Sequence, residues 1–226
     1  MRAFFALLLM LFAAPVAAQR VDWNKTITLT PEGGYLIGNP KAKVRVIEYF
    51  SLTCPHCKDF VINDLPVIRS TYITRGTVSI ELRNFVLNGP DLAASMLMRC
   101  ASAPQAVTLY HAAFADQHAL FFERPQLPPA ALERVQKAPV ERRALQFATE
   151  AGLLKWFVGR GVPVARANAC LTDKKAEAQL IGIRKQAISQ FDIQGTPGFV
   201  VNGKKVQGSS WMELESVVQQ ALRAQN

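Results

Sequence analysis

Residues 44–50 read VRVIEYF, with an apolar or β-favouring side chain at nearly every position. A strand with one wet face alternates polar and apolar residues; a run like this one suits a central strand covered on both faces. CPHC (Cys54–Cys57) comes next. Helical spacing follows at Phe60, Asp64, Leu65, Ile68 and Tyr72, with Pro66 expected to kink the helix. Thr77–Leu82 (TVSIEL) alternates as a second strand, with Val78, Ile80 and Leu82 on one face. Strand, loop, helix and strand in that order make a right-handed βαβ unit, which commits the chain to a parallel pair under helices.

The flanks are of two kinds. Thr26–Thr30 (TITLT) alternates as a strand, and GGYLIGNPKAK after it carries turn chemistry. From Asp91 to about Phe191 the chain is rich in Ala, Leu, Gln, Lys and Arg at helical spacing. Pro104, the Pro125/Pro128/Pro129 cluster, Pro139 and Pro163 cut that stretch into several helices. Gly198–Val201 (GFVV), the turn Asn202–Gly203 and Lys204–Val206 predict a β-hairpin, and Trp211–Ala224 an amphipathic helix. The expected order is ββαβ, a helical insertion, then ββα.

The first residues, MRAFFALLLMLFAAPVAAQ, have a basic start at Arg2, an apolar run and small residues ending at Ala18. This is the pattern of a secretory signal, with cleavage expected near Ala18 and export to the periplasm. The apolar run is short for a spanning helix, and no other segment is apolar enough to cross a bilayer. Outside the cytoplasm disulfides persist, so four cysteines suggest two pairs. The formal charge is +9 at pH 7, but the basic residues are scattered. Nucleic acid is therefore a poor partner, and a mild attraction to acidic polypeptides or anionic membrane surfaces is the better expectation.

The chemistry centres on CPHC. Pro55 suits the first helical position, because the N–H it lacks is not needed there. Cys54 then lies at the helix start, where unpaired backbone N–H groups face its sulfur, and His56 can add a donor or a charge. Each effect favours the thiolate, while Cys57, about one turn inward, should be less exposed and resolve the exchange. A thiolate favoured by three pH units would stabilise the reduced form by roughly 4 kcal/mol.

Zinc is the competing use of paired cysteines, and it usually needs a second paired motif. Cys100 and Cys170 stand alone in the helical stretch, His111 and His118 lie two turns apart, and Met96 and Met98 look like core packing. No metal is expected. A second signal is QGTPGFV at Gln194–Val200, where a proline stands just before an apolar strand although it cannot donate to the ladder. A cis Thr196–Pro197 bond would make a tight turn whose Thr196 backbone could pair with an extended substrate.

Taken together, EYFSLTCPHC (Glu48–Cys57) and TPGFVVNGK (Thr196–Lys204) resemble the DsbA-like disulfide oxidoreductases, over about Gly34 to Leu222. The resemblance implies an α/β chain: a thioredoxin fold with an inserted α-helical domain. Its parts would be 19–90, the helical insertion 91–190, and 191–226. It further implies Cys54 as nucleophile, Cys57 as resolving cysteine, Pro197 as the cis-proline next to Thr196, and Glu48 as a buried acid that supports proton movement. A surface carboxylate is the alternative for Glu48. Cys100 and Cys170 would form a structural disulfide rather than a second redox centre.

Thr196 stands where oxidases of this family often carry valine, and threonine is common in isomerase-like and reductase-like relatives. The leading expectation is an exported thiol oxidase that gives its Cys54–Cys57 disulfide to newly exported polypeptides with free cysteines. It would need no cofactor, act as a monomer, and be reoxidised by a quinone-linked membrane partner of the DsbB type. An isomerase or reductase is the rival, although the stretch before Val44 is short for the added dimerisation domain of such isomerases. A non-catalytic chaperone or metal carrier stands third.

Overall fold

The structure is a computed structural model and describes residues 21–123 and 127–225. The expected signal at 1–18, with Arg2 and the cleavage point near Ala18, lies outside the described residues, as does Pro125. The strands are β1 (Ile27–Leu29), β2 (Tyr35–Gly38), β3 (Val44–Phe50), β4 (Val78–Asn84), β5 (Gly198–Val201) and β6 (Lys204–Lys205). They form one sheet in the order β1-β2-β4-β3-β5-β6. β3 runs parallel to β4 and antiparallel to β5, and the remaining pairings are antiparallel.

β3 is central, as its composition requires. Val44, Val46 and Phe50 enter the larger core, while Ile47 and Tyr49 enter a smaller one on the opposite face. The larger core is covered by the helical run that begins with α1 (Pro55–Asp59) and α2 (Leu65–Ile68). Within that run, two five-residue π segments, Phe60–Asp64 and Arg69–Ile73, flank α2. Pro66 falls in the first turn of α2, so its missing N–H is absorbed where the ladder has already widened.

Between β4 and β5 lie α3 (Gly89–Arg99), α4 (Ala103–Ala115), α5 (Gln117–Phe121), α6 (Pro129–Lys137), α7 (Arg143–Glu150), α8 (Leu153–Val158), α9 (Val164–Cys170) and α10 (Lys174–Phe191). Prolines mark their starts, as they should. Pro104 is in the first turn of α4, Pro129 opens α6 and Pro163 directly precedes α9. α10 supplies Ile183 and Ala187 to the smaller core and so closes the second face of the sheet. The last helix, α11 (Trp211–Arg223), packs Leu214 and Val218 into the larger core and starts with a Ser210/Glu213 capping box. The hairpin before it turns at Asn202 (φ 46°) and Gly203 (φ 81°), the left-handed pair that a tight primed turn demands.

One expectation needs correction. Gly33–Lys43 is not all turn: Tyr35–Gly38 is a fully buried strand inserted between β1 and β4. Its flanking glycines hide it in the sequence, and Gly34 is there for a packing reason, since a Cβ at that position would overlap the Glu81 carboxylate. β4 places Val78, Ile80 and Leu82 on one face as expected, and it is buried on the other face too. Ser79, Glu81 and Arg83 are buried as well as Val78, Ile80 and Leu82. Burial by itself would raise the Glu81 pKa, yet hydrogen bonds from Arg83 and Thr30 hold it below the ordinary carboxylate value. Paired in this way, the charges can occupy a covered face.

Candidate active site

β3 ends at Phe50, and the loop Ser51–Thr53 delivers Cys54 to the cap position of α1, with Pro55 as its first residue. Cys54 has no oxygen with which to cap the helix. The unpaired N–H groups of Cys57 and His56 therefore act on its sulfur. Both thiols are free; Cys54 is 6 % exposed and Cys57 0 %. The Cys54 pKa is lowered from 9.0 to about 5. The Cys57 thiol hydrogen bond is the largest cause, and the Thr196 side chain and the two backbone N–H groups add to it against the opposing effect of burial. Deeper burial, and then the same pairing, push Cys57 well above 9.0. The two sulfurs are thus separated into a ready nucleophile and a protonated partner. His56 acts through its backbone N–H, and its ring is exposed.

The second motif folds back onto the first. The Thr196–Pro197 peptide is cis and brings the Thr196 carbonyl to 3.1 Å from Cys54 Sγ, which donates to it only as the thiol. A cavity of about 320 Å³ opens at this turn, lined among others by Ile193, Thr196, Pro197, Phe199, Val206 and Ser209.

Glu48 is not a surface carboxylate. It is 0 % exposed, and Tyr110 Oη donates to its Oε2 at 2.7 Å. Burial raises its pKa to about 8, opposed by the Tyr110 hydrogen bond and assisted by the charge of Cys54.

Other residues hold the loop, and no motif announced them. Asp91, buried at the start of α3, accepts from Ser51 Oγ at 2.6 Å, Leu52 N at 3.1 Å and Leu87 N at 2.9 Å. Burial pushes its pKa up to about 6 against those bonds. Gln117, at the start of α5, donates from Nε2 to the carbonyls of Leu52 and Cys54, both at 2.9 Å. The only advance sign is at Asn88, whose side chain caps α3 and accepts from Asp91 N at 2.9 Å.

The structure keeps the remaining candidates apart from this site. Met96 and Met98 are core residues. His111 lies against Arg69, with 3.2 Å between Nε2 and Nη1, and burial with that guanidinium beside it lowers its pKa to about 4. His118 is exposed beside Glu123. Cys100 and Cys170 are disulfide-bonded, with Cα atoms 6.0 Å apart, and tie the end of α3 to the end of α9. Among the described residues, no helix is long and apolar enough to cross a membrane.

The family model described as Thioredoxin matches residues 30–220. The chain belongs to the thioredoxin family. This thioredoxin-family chain is 27 % identical over 191 residues to a candidate protein-disulfide oxidoreductase of Rickettsia bellii. The match covers 84 % of the chain and 65 % of that relative's length. Among solved structures it is similar to a protein-disulfide isomerase from Novosphingobium aromaticivorans, at 26 % identity and a TM-score of 0.75, covering 83 % of this chain and 96 % of that one. It also shares the fold of Wolbachia pipientis alpha-DsbA1, with a TM-score of 0.64 at 24 % identity over 89 % and 96 % of the two chains. The thioredoxin fold of this family member is thus the DsbA-like form, with helices inserted between β4 and β5.

Proposed function

We propose that the protein is an exported thiol:disulfide oxidoreductase that works in the periplasm as an oxidase, introducing disulfides into newly exported polypeptides. The single observation that carries the reading is the Cys54 sulfur, ionised near pH 5 at a helix start with protonated Cys57 behind it. A stable thiolate is a good leaving group, so a disulfide that contains it is readily given away. A substrate thiolate attacks Cys54 Sγ of the oxidised pair, the Cys54–Cys57 bond breaks, and a substrate–Cys54 disulfide forms while Cys57 leaves with the electron pair. A second substrate thiolate then attacks the substrate sulfur and expels Cys54. The substrate gains a disulfide and the enzyme is left as the dithiol. The cavity beside Pro197 would take the extended substrate, with Thr196 backbone groups as its pairing edge. Reoxidation falls to a quinone-linked membrane partner of the DsbB type.

Isomerase or reductase action is the second reading, favoured by Thr196 and by the name of the Novosphingobium neighbour. The test sets the purified protein against glutathione, and compares oxidation of a reduced dithiol peptide with unscrambling of a mispaired protein. A strongly oxidising equilibrium, fast peptide oxidation and complete loss of both activities in Cys54→Ser are expected. Efficient unscrambling with poor oxidation would overturn the oxidase assignment, and thiol exchange that survives Cys54→Ser would overturn the whole reading.

A further inference from the structure

Glu48 and Tyr110 meet across two parts of the fold. Glu48 shares the face of β3 that carries Val46 and Phe50. Its register neighbours are Leu82 on β4 and Phe199 on β5, so the adjoining strands put no polar side chain beside it. The hydrogen bond comes instead from α4, through the Tyr110 hydroxyl. That ring is fixed edge-on against Phe50 and Phe114, with centroids 4.8 and 5.0 Å away. The other carboxylate oxygen, Oε1, is buried without a hydrogen-bond partner. The titratable groups that act on Glu48 are Tyr110 from α4, Cys54 at the cap of α1 and Cys57 within it.

The choice of partner matters chemically. A cation beside a buried carboxylate would pin it in the ionised form. A phenol whose own pKa is pushed above its usual value by burial stays neutral. It donates to the carboxylate, and it can accept from the acid. Such a pair can hold the proton and release it.

We propose that Tyr110 is a positioning residue for the proton movement that the family resemblance assigns to Glu48: it fixes Oε2 and leaves Oε1 to exchange the proton with the Cys57 sulfur. The inference rests on the thiol-exchange reading above. When substrate sulfur attacks Cys54, the electron pair of the broken disulfide leaves on Cys57 Sγ. The proton on Glu48 Oε1 moves to that sulfur, and the carboxylate left behind is held by the Tyr110 hydroxyl. When Cys57 later attacks a mixed disulfide, the proton returns to Oε1. Nothing is oxidised or reduced beyond the exchanging sulfurs.

The test is Tyr110→Phe, read by carbon-13 NMR titration of the Glu48 carboxyl in the reduced protein and by the pH profile of mixed-disulfide formation. Loss of the donor should move the Glu48 midpoint upward by roughly one pH unit. The pH profile should move with it, and Tyr110→Phe should have no further effect on that profile in a Glu48→Gln background. An unmoved midpoint, or a rate reduced equally at every pH, overturns the inference. If Tyr110→Phe does not fold, 3-fluorotyrosine at position 110 keeps the hydroxyl and strengthens it as a donor, and must move the midpoint down. Because the NMR midpoint needs no turnover, it still judges Tyr110 if the wild-type protein proves unable to exchange thiols; that inability would sink the functional reading instead.

Discussion

Cys54 carries its charge because donors converge on it, led by the Cys57 thiol and joined by Thr196 and two backbone N–H groups. Lowering from 9.0 to about 5 corresponds to roughly 5 kcal/mol in favour of the reduced folded state, at ~1.4 kcal/mol per pH unit. That contribution is complete above pH 9, where the unfolded thiol also ionises. About half of it survives at pH 7, and it vanishes as pH falls through about 5. Two outcomes follow. Thiolate ultraviolet absorbance should titrate with a midpoint near 5. In urea unfolding at stepped pH, the reduced protein should lose stability relative to the oxidised one from alkaline to acid pH. A difference that did not change with pH would show that Cys54 is not the ionised group. The direction of the shift was legible from CPHC behind a strand, since the two backbone donors follow from the helix start. The leading cause was not, because a thiol of the same motif turning its hydrogen toward its neighbour is a matter of rotamer rather than spacing.

β2 shows where pattern reading stops. A four-residue strand between glycines resembles a loop, and only the Glu81 carboxylate packed against Gly34 explains why small residues stand there. Gly34→Ala should cost about 2–4 kcal/mol, because either the strand shifts or the buried ion pair opens. Denaturant unfolding of the reduced proteins would measure this, and a loss under ~0.5 kcal/mol, within the range of an ordinary surface change, would refute the packing argument. β3, β4 and the 198–205 hairpin, by contrast, were readable because composition, alternation and turn chemistry agree there. Tyr110, Asp91 and Gln117 were not. Each lies in a helix whose periodicity says only that one side is buried, and the site residues they hold, Glu48 and Leu52, are more than thirty-five residues away in sequence.

The order of elements in the assembled chain followed from its sequence apart from one strand, because a βαβ unit, a proline-punctuated helical stretch and a closing hairpin leave few ways to connect. The partner of each helix did not. α10 closes the second face of the sheet, yet nothing in its own residues assigns it there rather than among the other helices. The Cys100–Cys170 bond, spanning 70 residues of that helical stretch, should stabilise by about 4 kcal/mol through restriction of the unfolded chain. Replacing both cysteines with serine should lower the unfolding free energy by that amount and leave peptide oxidation at Cys54 intact. Loss of oxidation in a folded double variant would instead make the bond part of the electron path.

The rims of the sheet are brief: three residues in β1, and two in β6, both lysine. A long flat rim would offer a row of bare amides on which a foreign chain could zip itself as an additional strand. If the protein handles unfolded chains as proposed above, such a rim would be a trap, since visitors would stay attached. Curtailed and charged rims turn them away, so the outline of the sheet favours turnover over retention.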